Sequence, residues 1–167
     1  MIASVVVLAA VSLERLGELA WAKRNTAQLL ARGAVEHASG HYPLIVAMHA
    51  AWLAGLWFLA WDRPIQGVWL TLFGLLQIGR LWVLATLKER WTTRIIIVPG
   101  QPLVRRGPYR LFDHPNYAVV VGEIAVLPLA FGLWEFAIGF SLANAAILAV
   151  RVRAETAALS SVTDGLR

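Results

Sequence analysis

His114, Pro115, Asn116 and Tyr117 open a long apolar run. Pro115 suits the first turn of a helix, because its missing N–H needs no partner there. That puts His114 and Asn116 at a helix N-terminus, where backbone donors favour an anionic group such as a ligand carboxylate. Tyr109 stands just upstream, after Gly107 and Pro108, in a polar connection that spans residues 88–116. A connection of about 25–30 residues in so small a protein is usually functional or disordered. The run Ile95, Ile96, Ile97 and Val98 argues against disorder, since an apolar, β-prone stretch has to be buried. A second polar group lies near the C-terminus, where Arg151 and Glu155 are four apart and share a helical face, with Arg153 pointing elsewhere. On a purely structural reading, the first group is an ordinary helix start with an interfacial tyrosine. The second is then a basic helix end with one surface ion pair worth well under ~1 kcal/mol.

Other chemistries find little support. The chain has no cysteine, which excludes disulfides, thiolate catalysis and Cys-based zinc or iron–sulfur sites. His37 and His41 are four apart, but Gly40 and Pro43 disfavour a rigid helix there, and no carboxylate cluster completes a metal shell. Neither a GxxxxGK[ST] loop nor a GxGxxG turn occurs, and no Ser–His–Asp arrangement stands out.

The elements that must hold these residues are membrane helices. Of 167 residues 59% are hydrophobic, mean hydropathy is +0.64, and only 15% are charged. A soluble domain carries about 25% charged residues, so lipid must face much of this surface. Apolar segments cover residues 2–20, 43–61, 65–87 and 118–150, and about 20 residues are enough to span a bilayer. The last would rise about 50 Å as one straight helix, well beyond a ~30 Å core. A bend at Phe131-Gly132-Leu133-Trp134 makes it two short antiparallel helices. The expected fold is therefore all-α, an integral membrane bundle of about five helices closing on a short helical hairpin. A cleaved signal is disfavoured for residues 2–20, because no basic residue precedes the run and Glu14, Arg15 and Glu18 lie within it.

Charge placement sets an orientation. With the N-terminus outside, residues 21–42, 88–117 and the C-terminal tail share one side. They carry Lys23, Arg24, Arg32, Lys88, Arg90, Arg94, Arg105, Arg106, Arg110, Arg151, Arg153 and Arg167, against Arg63 alone opposite. The basic side is expected to be cytosolic. These loops report topology and show no aromatic-interleaved groove, so nucleic acid is not an expected partner. Glu14, Glu18, Gln77, Arg80 and Glu123 lie within apolar segments, with His49 and Asn144 as further polar points. Each ionisable group costs at least ~2.5 kcal/mol at the bilayer centre, so pairing of Arg80 with Glu14 or Glu123 is expected.

Taken together, Gly107-Pro108-Tyr109, Asp113-His114-Pro115-Asn116-Tyr117 and Arg151-xxx-Glu155-xxx-Leu159 resemble the isoprenylcysteine carboxyl methyltransferase family. The signature of that family reads approximately G-x-Y-x-x-x-R-H-P-x-Y, a helical hairpin, then R-x-x-x-E-E. The match covers residues 77–159 in order and spacing. The front resembles one bacterial branch, through Glu18, Lys23-Arg24-Asn25, residues 32–36 and His41-Tyr42-Pro43. Some members of that branch are associated with type III polyketide synthases and methylate their long-chain pyrone or phenolic products. Two positions depart from the pattern: Asp113 stands where the family usually has Arg, with Arg110 one turn away, and Thr156 replaces the second Glu.

The resemblance implies a single membrane methyltransferase domain over residues 1–167, with residues 88–167 forming the part that binds S-adenosylmethionine. It implies that Tyr109, His114, Pro115, Asn116 and Tyr117 surround the donor, that Glu155 contacts it, and that Arg151 orients an acidic acceptor. The acceptor would be a lipophilic small molecule or prenylated group reached from the membrane lipids. A small transporter using Glu14, Arg80 and Glu123 as a polar path is the competing reading, though the chain shows no inverted repeat. A non-catalytic membrane scaffold is another.

Overall fold

A computed structural model describes residues 1–102 and 104–164, with side chains to residue 158. Its helices are α1 (Ile2–Ala31), α2 (Tyr42–Ala60), α3 (Gly67–Leu87), α4 (Pro115–Ala130) and α5 (Trp134–Asp164). The stretches Ser39–Ala60, Gly67–Arg90 and Trp134–Ala158 are long and apolar enough to cross a membrane, and α4 is a shorter apolar helix. At most 22% of each candidate span is buried inside the protein, so their outer faces need lipid. The chain is a membrane protein.

The helix ends sort into two layers. At one end, Ser4 Oγ donates to the Arg63 carbonyl (2.5 Å), and the Gln66 N–H donates to Ala130 O (2.8 Å). At the other, Asn25 Nδ2 donates to Lys88 O (3.0 Å) and Trp91 O (2.9 Å), while Arg151 Nη2 donates to Thr93 O (2.9 Å). The polar connection and the C-terminal Arg/Glu pair therefore meet at one end of the bundle. Between the layers, Leu8, Trp52, Leu56, Phe73, Ile124, Leu127 and Phe131 pack as one apolar core.

The bend expected at residues 131–134 is present. Gly132 takes φ +70, and the N–H groups of Phe131, Gly132 and Leu133 turn back to Pro128 and Leu129 carbonyls, which ends α4 and reverses the chain. The hairpin is unequal, however. α4 has 16 residues and α5 has 31, because nothing after Val150 breaks the helix and Arg151 to Glu155 continue it. α1 likewise runs past residue 20 to Ala31. Its polar half is held by buried Asn25, and it stops where Arg32, Gly33 (φ +85) and Ala34 return hydrogen bonds to Leu29 and Leu30.

Buried charges tie the helices together. Arg80 of α3 binds both carboxylate oxygens of Glu18 on α1, and its Nη1 lies 3.0 Å from Glu123 Oε2 on α4. Arg15 reaches Glu123 (2.9 Å) and Glu18 (3.2 Å), and Gln77 Nε2 donates to Glu123 Oε1 (3.0 Å). Of the two partners expected for Arg80, Glu123 is realised. Glu18 replaces Glu14, because it sits one helical turn further along and is the buried member of the pair.

A short antiparallel ribbon departs from the all-helical expectation. β1 (Val35–His37) pairs with β2 (Ile95–Ile97), with Glu36 opposite Ile96. This is where the apolar run after α3 finds its cover, Ile95 being the buried member.

Candidate active site

A cavity of about 870 Å³ opens at the end of the bundle where the 88–114 connection lies. Its walls are residues 90–113 in part, the first turn of α4, and Arg151, Glu155 and Thr156 of α5. That volume is in the range that holds a drug-sized ligand.

Six of the seven residues singled out in the sequence line this cavity: Tyr109, His114, Asn116, Tyr117, Arg151 and Glu155. Pro115 does not. It is buried at the first position of α4, where it starts the helix and aims its neighbours instead of touching the cavity. Tyr117 is the hub. Its hydroxyl donates to Glu155 Oε2 and accepts from Arg151 Nε (2.8 Å), and the Arg151 guanidinium carbon lies 5.6 Å from its ring centroid. His114 stacks on the Tyr117 ring at 5.1 Å and 19°, with Nδ1 3.9 Å from Glu155 Oε2. That separation is too long for a hydrogen bond and is an ion pair only when the imidazole is protonated. Arg151 also donates Nη2 to Thr93 O (2.9 Å), so two of its three guanidinium nitrogens are engaged within the protein.

Two further polar atoms matter. Asn116 Oδ1 is buried and has no hydrogen-bond partner among the described residues, an arrangement that burial penalises unless a ligand supplies a donor. Burial, and then the Glu155 carboxylate, push the Tyr109 phenol up to about 12, so it stays protonated at neutral pH and acts as a donor. Asp113 and Arg110 both line the cavity, so a cation and a carboxylate from this short stretch share its wall. Thr156 does not stand in for a second carboxylate, since its hydroxyl donates to Val152 O (2.9 Å) within its own helix. Arg153 is exposed. The side chain of Leu159, the last motif position, lies outside the described residues.

Several cavity residues carried no signal in the sequence. Trp91 is 3% exposed, and the Arg80 guanidinium sits 5.8 Å from its ring centroid, linking the buried charge cluster to the cavity wall. Arg90 braces the loop by donating to Pro102 O (2.8 Å) and to Gln101 Oε1. Arg94 pairs with Glu36 (2.9 Å) across the ribbon and lies over Tyr42. These are long-range partners, and short-range spacing does not reveal them. Of the residues raised as a transport path, Arg80 and Glu123 pair with each other (3.0 Å) and line, with Arg15 and His49, a cavity of only about 50 Å³, whereas Glu14 is not part of that lining.

Bundle and cavity define a membrane-embedded helical protein with a polar site at one interface. The model of the isoprenylcysteine carboxyl methyltransferase family matches residues 69–161, from the start of α3 through the motif on α5. The chain belongs to that family, which makes it a membrane methyltransferase in general terms. It is 38% identical over 157 residues to an uncharacterized protein, YpbQ, of Bacillus subtilis, a match covering 91% of this chain and 94% of that one. It is 27% identical over 146 residues to an uncharacterized protein of Haemophilus influenzae, covering 82% and 83% of the two chains. No solved structure matches.

Proposed function

We propose that the protein is an S-adenosylmethionine-dependent O-methyltransferase whose acceptor is lipophilic, either a prenylcysteine-type carboxylate or a long-chain polyketide enol or phenol. The observation that carries this reading is the Arg151–Tyr117–Glu155 chain, with His114 stacked on it, on the wall of a cavity at the membrane interface. The basic residues on the same end support a cytosolic orientation, where the methyl donor is made.

The residues present fit the donor's groups. Glu155 offers a carboxylate to its ammonium group, and unpaired Asn116 Oδ1 offers an acceptor to an amino group. When bound, S-adenosylmethionine supplies a sulfonium methyl for in-line displacement by an acceptor oxygen. The chain's own contribution is position, which can supply ~7–11 kcal/mol of such a barrier. Arg151 is the residue that would hold an acceptor oxyanion, its guanidinium plane fixed by the bonds of Nε to Tyr117 and Nη2 to Thr93. A carboxylate acceptor arrives ionised and needs no base, and an acidic enol or phenol gives its proton to solvent and is held as its oxyanion by the same cation.

Methyl-labelled donor incubated with the protein in membranes, with prenylcysteine or long-chain pyrone added, tests this reading. Label should pass to the organic phase. Alkali should release it as methanol from an ester and leave it bound in an ether, which separates the two acceptor classes. Folded protein that transfers no label to either acceptor or to lipid extract would refute the proposal.

A further inference from the structure

The stretch from Arg105 to Phe112 is fixed on its inner side and unpartnered on its outer side. Pro108 is buried, and Gly107 (φ +56) lies so close to Thr86 that a Cβ there would collide with the threonine hydroxyl. Arg106 Nη2 donates to Thr86 O (3.3 Å). The N–H groups of Leu111 and Phe112 both close onto Pro108 O at 3.1 Å. The outer side presents Leu111 and Phe112, 68% and 62% exposed, beside the exposed Arg105 and Arg110. Neither arginine has an ion pair or hydrogen bond among the described residues, and both border the mouth of the large cavity.

Depth fixes what covers this surface. Thr86 belongs to the last turn of α3 and Pro115 starts α4, so the hook packs against the end of one membrane-embedded helix and leads into the start of another. Trp82, one turn before Thr86 and 49% exposed, marks the interfacial level that indoles prefer. An apolar pair at that level, flanked by unpaired guanidinium groups, is complementary to acyl chains below and phosphates beside them.

We propose that residues 105–112 form an interfacial docking hook for anionic phospholipid, with Leu111 and Phe112 inserted among acyl chains and Arg105 and Arg110 on lipid phosphates. The occupant is the surrounding anionic lipid, because the surface pairs two apolar tips with net positive charge at the depth of the headgroups.

The absence of native cysteine makes the test direct. Phe112→Cys, Leu111→Cys and, as a same-side control, Ser39→Cys are labelled with a polarity-sensitive fluorophore in phosphatidylcholine vesicles containing phosphatidylglycerol. Lipids brominated on their acyl chains should quench the probes at 111 and 112 roughly threefold more than the probe at 39. Phosphatidylglycerol should raise the melting midpoint above that in pure phosphatidylcholine by about 3 °C or more. That shift should be lost in Arg105→Gln/Arg110→Gln, checked to keep its helical spectrum. Equal quenching at 39 and 112, or a phosphatidylglycerol shift unchanged in the double variant, would overturn the proposal. Self-quenching at 112 that grows with protein density would overturn it in favour of contact between copies of the chain. Neither readout involves a methyl donor, so failure here is distinct from failure of the methyltransferase reading.

Discussion

The hydroxyl of Tyr117, in the first turn of α4, donates to the carboxylate of Glu155 on α5, and the same hydroxyl accepts from Arg151. One phenol oxygen thus joins two helices and sets the direction of both charged side chains that face the cavity. Tyr117→Phe keeps the ring stacked on His114 and removes only that junction. Donor affinity is expected to fall roughly five- to tenfold, the scale of one ordinary hydrogen bond of about 1 kcal/mol. Titration calorimetry on parent and variant measures it, and an unchanged affinity would mean that Glu155 is positioned without Tyr117.

Arg151 and Arg153 separate orientation from general basicity. Arg151 is engaged through Nε and Nη2, whereas Arg153 is exposed. Lysine cannot reproduce two fixed donors in one plane. Arg151→Lys should slow methyl transfer at saturating donor by about tenfold or more, and Arg153→Lys should leave it nearly unchanged. Steady-state rates with varied acceptor decide it; equal losses at both positions would remove the orienting role.

The Arg80 cluster should dominate stability. Removing one partner of a buried ion network leaves charge uncompensated and costs about 3–5 kcal/mol. Arg80→Met leaves the two buried carboxylates of Glu18 and Glu123 sharing Arg15 as their cation, so its unfolding midpoint in detergent should fall steeply. Adding Glu18→Gln and Glu123→Gln to the same variant should recover much of the loss. A triple variant no better than the single one would show that Arg80 acts through packing on Trp91 instead of through charge.

Orientation is testable without activity. Cysteine at exposed position 62 should react with an impermeant reagent in intact cells, and cysteine at exposed position 39 should react only after permeabilisation. The reverse pattern would put the cavity outside and remove the donor supply on which the proposal relies.

Much of this arrangement was legible in local sequence because it depends on local physics. Pro115 marks a helix start, Gly132 a reversal, and apolar length marks the spans, so α2, α3 and the α4–α5 turn fall where expected. The four-residue spacing of Arg151 and Glu155 already put them on one face, and the structure adds Tyr117 as the link between them. What was not legible depends on pairs far apart in the chain. The three-residue strands β1 and β2 are too short to leave a period and are recognisable only as partners of each other. The choice of Glu18 over Glu14 turns on the rotation of α1 against α3, which a sequence with charge on both turns does not specify. Pro115 was grouped with the lining residues by its motif, yet its ring starts the helix and stays buried.

Titration calorimetry with the purified protein in detergent decides whether this cavity binds S-adenosylmethionine. Saturable binding of one donor per chain is expected, weakened by at least ~1 kcal/mol in His114→Ala and in Glu155→Ala, with the fold of each variant intact. Folded parent protein that binds no donor, or two variants that bind it as the parent does, would contradict it.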